Sequence, residues 1–412
     1  MDNTALLPGL FRSEFGKITS VLSKYFSLEN IATAEDIASE TFLLAMETWP
    51  YKGIPENPTA WLYTVAKNKA KNFIIRSKVF HDKVVHDILI EQQEPEVGDV
   101  DLSNENIRDS QLRMLFALCH PSIAPEAQVG LCLRILCGFG IDEIATAFLS
   151  NKDTINKRLM RAKERLRNKN INLEMPGDDQ LVGRLGSVLT TLYLLFSEGY
   201  YSETQEQIVR KDLCVDAIRL TQMLVDDPRT NLPEVNALLA LMYFHASRLE
   251  SRVSASGEIV LYHDQDAALW NREYISLGAY HLKQASQGPR LSKYHLEAGI
   301  AYWHTVKEDS LDKWESVLQL YNRLLQIEYS PVAALNRTYA LSKCRSVQEA
   351  IGEAEKLRLE SNPYYFLLLG ELYKDIDHEK ARHHLESAKK ISKSVAERRV
   401  IEEKMRSLAS QQ

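Results

Sequence analysis

Apolar residues recur along nearly the whole chain at the 3.6-residue spacing of α-helices, and the two-residue alternation of strands is scarce. The pattern is sharpest at 141–167. There a short apolar helix, a tight turn and a second helix are predicted. In the second helix Ile155, Leu159, Ala162 and Leu166 fall on one stripe. Lys157, Arg161 and Glu164 lie opposite, flanked by Lys152, Asn156, Lys163 and Arg167. Asn151 is placed to cap the second helix through the third-position amide of Thr154, and Asp153 faces the positive end of the dipole. Ala145 is small enough for a close helix crossing, and Ile144 and Phe148 complete a small core. The pattern is that of a helix-turn-helix.

The remaining pattern divides the chain. A helical block spans 8–82. A linker at 83–109 follows, in which 87–109 hold eight acids and one base around Pro95 and Gly98. The second block, 110–170, ends with the helix-turn-helix. After a break with Pro176 and Gly177, a helical extension at 180–290 is interrupted at 249–266. A short hairpin turning at Gly257 is expected there. In 291–410 the prolines Pro331 and Pro363 lie 32 residues apart, each opening a helix pair. Phe366, Leu369, Gly370 and Tyr373, then Ala381, Leu385 and Ala388, are spaced much as in a tetratricopeptide (TPR) repeat, with Trp314 and Tyr321 marking a further degenerate helix. Such pairs stack because neither buries its apolar face alone. The fold class expected is all-α.

Charge sharpens this picture. The 412-residue chain is formally −6, yet residues 151–170 carry eight Lys/Arg against two Asp/Glu, a local net of +6. A cationic helix on an acidic protein implies a locally anionic partner, and with the turn before it, a DNA groove. No basic start leads into an apolar run, and the apolar stretches at 192–196 and 237–244 are far shorter than the ~20 residues of a membrane helix. A cytoplasmic, nucleoid-associated protein without a membrane partner is expected. Cys119, Cys132, Cys137, Cys214 and Cys344 form an odd set without a Cys-x-x-Cys pair, so neither a disulfide framework nor structural zinc is expected. Glycine-rich phosphate loops, nucleophile elbows and His-Glu-x-x-His pairs are missing, so no catalytic residues, metal or cofactor are assigned. His263, Asp264 and Asp266 read as a turn, His383 and His384 as exposed, and Gly199 as a helix C-cap.

The first block carries a second cationic helix. A helix at 33–49, with Thr33 and Asp36 spaced as a capping box, sets Ile37, Thr41 and Leu44 on one stripe with Phe42 and Met46 beside it. Asp36, Ser39, Glu40 and Glu47 make its polar face. After Asn57 and Pro58, residues 61–78 hold five bases and no acid, interleaved with Trp61, Tyr63 and Phe73. Aromatic faces among cations suit the bases and phosphates of single-stranded nucleic acid. Trp61 also fits a core position, and Asp36 a plain helix cap.

Asp36-x-x-x-Glu40-x-Phe42, then Trp61-Leu-x-x-x-Ala66-Lys67-Asn68, then a separate basic helix-turn-helix resembles the bacterial extracytoplasmic-function (ECF) RNA polymerase sigma factors over about 8–170. The rest is similar to the long TPR-like extension of one subgroup, through Leu192–Tyr200, His245-Ala-Ser-Arg248, Asp264-Gln-Asp266 with Trp270, and Asn336-Arg337. The resemblance implies two small sigma domains followed by a helical-repeat domain. It implies docking of Asp36, Ser39, Glu40 and Glu47 on the clamp helices of the polymerase large subunit. Trp61, Lys67, Asn68, Lys69, Lys71, Asn72 and Arg76 would recognise and melt the minus-ten element. Lys152, Asn156, Lys157 and Arg161 would read the minus-thirty-five element, with Arg158 on phosphate. A small companion protein of the DGPF/YCII-like type is also implied. Ser39, Asn72 and Phe73 depart from the family's usual residues.

A one-component helix-turn-helix regulator with a ligand-sensing C-terminal region is the alternative, and an enzyme in 180–290 tethered to a DNA-binding module a third reading.

Overall fold

Three helices build the first block: α1 (Asn3–Phe26), α2 (Ile31–Lys52) and α3 (Pro58–Val84). The computed structural model describes residues 3–84, 100–148, 150–169, 171–200, 211–252, 260, 262–392 and 395–409. Phe15, Ile18 and Leu22 of α1 are fully buried against Ala34, Ala38 and Ala45 of α2 and Leu62, Ala66 and Ala70 of α3. Alanine at successive turns lets the helix backbones come close while the α1 side chains fill the space.

Helix α2 begins earlier than its sequence suggests. Asn30, after a 3-10 turn, is its cap residue, so Thr33 and Asp36 lie inside the helix and form no capping box. Met46, expected beside the buried stripe, is 60% exposed, as is the neighbouring Leu43 at 53%. Helix α3 is capped by Asn57, whose Oδ1 accepts the Ala60 amide at 3.0 Å.

The second block comprises α4 (Asn104–Leu118), α5 (Pro125–Leu131), α6 (Ile141–Ala147) and α7 (Lys152–Asn168). A π-helical turn, Cys132–Leu136, extends α5, and the Cys137 amide donates to the Cys132 carbonyl five residues back at 3.1 Å. Cys119, Cys132 and Cys137 are free and buried here, packed as small hydrophobes. Gly138 leaves the turn at φ +68°, a conformation that favours glycine.

The two blocks belong to one compact unit, residues 1–194. Helix α1 crosses the π turn at backbone distance: a Cβ on Gly16 would stand 2.4 Å from the Leu136 carbonyl oxygen. Only glycine fits that crossing.

Helix α8 (Asp178–Tyr200) contains the boundary to the second unit, residues 195–412. It runs on past Gly199 to Tyr200, so this glycine lies in the last described turn of the helix and not at its C-cap. The second unit continues with α9 (Lys211–Asp226), α10 (Pro233–Ala246), α11 (Arg272–Ala285), α12 (Lys293–Trp303) and α13 (Leu311–Ile327). Then come α14 (Pro331–Cys344), α15 (Val347–Leu357), α16 (Pro363–Tyr373), α17 (His378–Ile391) and α18 (Val395–Ala409).

Helix α10 is apolar around most of its girth, and eleven of its residues are buried. Pro331 and Pro363 each stand in the first turn of a helix pair, α14–α15 and α16–α17, where a missing N–H costs nothing. Gly370 admits Leu385 of the partner helix, which would lie 2.9 Å from an added Cβ. His384, expected to be exposed, is half-buried between the rings of Phe366 and Tyr373.

No β-strand occurs among the described residues. The hairpin expected near Gly257 falls mainly on 253–259 and 261, outside the described residues. Beside that segment Val260 donates to the Arg252 carbonyl at 2.8 Å. Among the described residues no helix is long and apolar enough to cross a membrane.

Candidate nucleic-acid interface

The outer face of α2 carries Asp36, Glu40 and Glu47, all exposed, around the exposed Leu43 and Met46; Ser39 is half-buried at its edge. Acids around apolar side chains suit a protein surface better than nucleic acid. Glu40 also pairs with Lys69 of α3 at 2.8 Å, where acidic and basic faces adjoin.

On α3 the side chains of Asn68, Lys71, Asn72 and Arg76 are exposed, and Lys67 and Lys69 are half-buried. The interleaved aromatics have separate fates. Trp61 packs edge-on against Trp49 with ring centroids 5.4 Å apart, at the border of the block's core. It is half-buried there, packed on the core with part of its surface open. Tyr63 donates to Glu14 Oε2 at 2.6 Å, and burial together with this carboxylate pushes its phenol pKa up. Phe73 and Ile75, 40% and 45% exposed, are large apolar groups that this helix presents to solvent. Phe73 is held edge-on by Phe26 at 5.5 Å.

The helix-turn-helix forms through contacts within the sequence that encodes it. Asn151 Oδ1 accepts the Thr154 amide at 2.8 Å, and Glu143 returns to the Gly140 amide at 2.6 Å. Ile155, Leu159, Ala162 and Leu166 are buried to 5% exposure or less. This stripe turns Lys152, Asn156, Lys157 and Arg161 outward, and all four are exposed. Lys152 meets Asp142 at 3.0 Å on the open surface. Arg158 is half-buried, its guanidinium 5.9 Å from the centroid of Phe148.

A second polar cluster lies between the blocks. Glu35 of α2 is 5% exposed; it forms an ion pair with Lys163 of α7 and lies 3.4 Å from Arg134 Nε. Nearby, Arg12 of α1 stacks on Phe139, 3.4 Å from its centroid, and pairs with Glu143 at 3.0 Å. Sequence reasoning placed Lys163 on the open flank of α7 and passed over Glu35, Arg134 and Arg12. One signal was available. Glu35 falls on the stripe of Ile31, Ala34, Ala38 and Phe42, and a carboxylate among buried apolar positions requires a cationic partner. Which cation supplies it depends on the packing of the blocks.

Residues 10–79, the first block, match the sigma-70 region 2 family. Residues 184–286 match DUF6596, a family of unknown function. The uncharacterized protein R00370 of Rhizobium meliloti (strain 1021) is 34% identical over 360 residues, 86% of this chain and 84% of the relative. The ECF RNA polymerase sigma-E factor of Haemophilus influenzae is 29% identical over 160 residues, 37% of this chain and 81% of the relative. The ECF RNA polymerase sigma factor BldN of Streptomyces coelicolor is 30% identical over 146 residues, 34% of this chain and 51% of the relative. No solved structure matches the chain.

A region 2 block joined to a helix-turn-helix defines a subunit of transcription initiation. The chain belongs to the ECF RNA polymerase sigma factors, in one family with R00370, and its long C-terminal extension fits DUF6596.

Proposed function

We propose that this sigma factor divides promoter recognition between α3 and α7, and that it must separate its two N-terminal blocks to do so. Docking on the clamp helices of the polymerase large subunit is assigned to Asp36, Ser39, Glu40 and Glu47, with Leu43 and Met46 as apolar anchors. Trp61, Lys67, Asn68, Lys69, Lys71, Asn72 and Arg76 take the minus-ten element, with the exposed Phe73 as a further stacking group. Lys152, Asn156, Lys157 and Arg161 enter the major groove at the minus-thirty-five element, and Arg158 contacts phosphate.

The carrying observation is that α3 and α7 expose their cationic faces while Glu35 and Lys163 hold the blocks in direct contact. The two elements lie about 25 base pairs apart, about 85 Å at ~3.4 Å per pair. A chain closed at Glu35–Lys163 cannot span that distance. Polymerase binding supplies the free energy of opening, and the C-terminal extension sets how readily it occurs, through intramolecular contacts or through a small DGPF/YCII-like companion protein.

Co-purification with core polymerase and run-off transcription test this reading. Asp36→Ala with Glu40→Ala should abolish both, while DNA binding by α7 survives. Promoter-specific DNA binding at full affinity without polymerase, and no stable polymerase complex, would overturn it in favour of a one-component regulator.

A further inference from the structure

Three of the sequence marks of the C-terminal extension, Tyr200, His245–Arg248 and Trp270, meet at one place in the second unit. Three cations surround a single tyrosine ring. Arg248, Lys307 and Lys313 lie 5.5, 5.7 and 5.2 Å from the Tyr262 centroid. Arg252 stacks on Tyr200 at 3.9 Å, and Arg248 reaches the same tyrosine's hydroxyl at 3.5 Å. Trp270 closes the group, its ring 6.5 Å from Tyr262 and its Nε1 donating to Ser251 at 3.0 Å.

Two of these cations are deeply buried, Arg248 at 6% exposure and Lys313 at 0%. Charges at such depth are ordinarily paired with carboxylates. Lys313 donates to neutral oxygens: Tyr262 Oη at 3.0 Å and the carbonyls of Val306 and Glu308 at 2.6 and 3.3 Å. Among the described residues Arg248 Nε is buried with no hydrogen-bond partner. Asp309, the acid that acts on Lys313, accepts from Trp314 and lies 4.0 Å from Lys343 on the open side. Burial raises the Tyr262 pKa, so this phenol stays neutral and does not serve as counter-ion. Burial and the positive charges of Arg248 and Arg252 likewise push the His245 pKa well down, leaving that ring neutral.

We propose that Arg248, with Arg252 and Lys313, forms a binding site for a small oxyanion, a carboxylate or phosphate group, against the Tyr200, Tyr262 and Trp270 rings. A guanidinium offers such a group two parallel donors, and buried Arg248 has donors to spare. The ligand supplies beside Arg248 a negative charge that no described carboxylate brings within hydrogen-bond distance, so occupancy and the stability of the extension are linked. The site belongs to the second unit and uses none of the residues assigned to promoter reading, so its test needs no polymerase.

The test uses the full chain in calorimetric titration and thermal unfolding, with inorganic phosphate and benzoate in separate arms and sodium chloride at equal ionic strength as control. One of the two anions should bind one to one and raise Tm saturably, and the arm that responds identifies the anion class. Arg248→Met and Lys313→Met should each weaken binding by about tenfold or more. If Arg248→Met fails to fold, Arg252→Gln at the half-buried rim should give the same loss in a folded chain. Absence of binding in both arms would overturn the proposal, as would equal affinity in all the variants. A thermal loss in Glu203→Gln, Glu206→Gln or Glu258→Gln equal to that of Arg248→Met would also overturn it, by showing that a carboxylate of the chain already fills the role.

Discussion

Lys163, on the helix that presents the DNA-reading residues, is ion-paired with Glu35, on the helix that presents the docking carboxylates. Glu35 and Asp36 are adjacent in sequence but differently placed, one buried in the contact between the blocks and one exposed to solvent. Arg134 approaches the same carboxylate at 3.4 Å. One carboxylate thus serves two cations of the second block. Removing it leaves both uncompensated, whereas removing either cation leaves the other.

Glu35→Gln should therefore lower the stability of the N-terminal unit by about 1–3 kcal/mol, below the full cost of breaking a buried pair because both cations are about a quarter exposed. Urea unfolding gives the loss. Fluorescence transfer between labels on α3 and α7 should show a larger open population. Lys163→Met added to Glu35→Gln should cost less than it does alone, since the pair is already broken.

Gly16→Ala should act at the same contact by steric means. The added methyl group would meet the Leu136 carbonyl at 2.4 Å, backbone against backbone, so the blocks must shift apart. A cost of about 1–3 kcal/mol and a greater open population are expected. Gly9→Ala, in the same helix with nothing within 4 Å of the new Cβ, should be neutral or stabilising by up to ~1 kcal/mol. A matched loss at both glycines would point to helix propensity and against the crossing.

Base-reading and phosphate contacts on α7 should separate by salt. Arg161→Ala and Asn156→Ala should each cost about 1–3 kcal/mol on the cognate upstream element and relax preference at one base pair. Arg158→Ala should weaken all sequences alike and reduce the salt slope by about 1. Lys152→Ala should have a smaller effect, because Asp142 already offsets that charge. Gel-shift titrations of polymerase holoenzyme over a range of salt concentrations distinguish these outcomes.

The end of the extension should carry an acid-sensitive tie. Burial disfavours the Glu371 carboxylate, but hydrogen bonds from Lys374 and Lys404 outweigh it and hold the pKa at about 2, joining α16 to α18. A depressed carboxyl contributes stability above its unfolded pKa of ~4.5 and loses it as pH falls toward 2. The urea midpoint of the second unit should drop across that window. Glu371→Gln should start lower at neutral pH and flatten this part of the profile.

Much of this was legible from local pattern. The buried stripe of α7, the Asn151 cap, and the prolines opening α14 and α16 are fixed by residues within a turn or two of one another. Other features misled where short-range and long-range readings compete. Thr33 and Asp36 have capping-box spacing, yet the chain enters α2 through a preceding 3-10 turn, so the helix starts at Ile31. Trp61 reads equally as stacking face or core, and its contact with Trp49, twelve residues away on another helix, is visible only in the fold. His384 stands on a charged helix, but the rings of α16 enclose it.

The sequence by itself determined that this protein is predominantly helical, that it carries two cationic helices on an acidic chain, and that the second belongs to a helix-turn-helix. Those properties follow from periodicity, capping and charge, all of which act over a few residues. Only the tertiary structure decided that Glu35 binds Lys163 and Arg134, that Gly16 is the crossing point of α1 with the π turn, and that Arg248, Lys307 and Lys313 gather around Tyr262. Each of these joins residues tens to more than a hundred positions apart. Their pairing is set by which apolar faces pack together, and the charges are carried into contact by that packing.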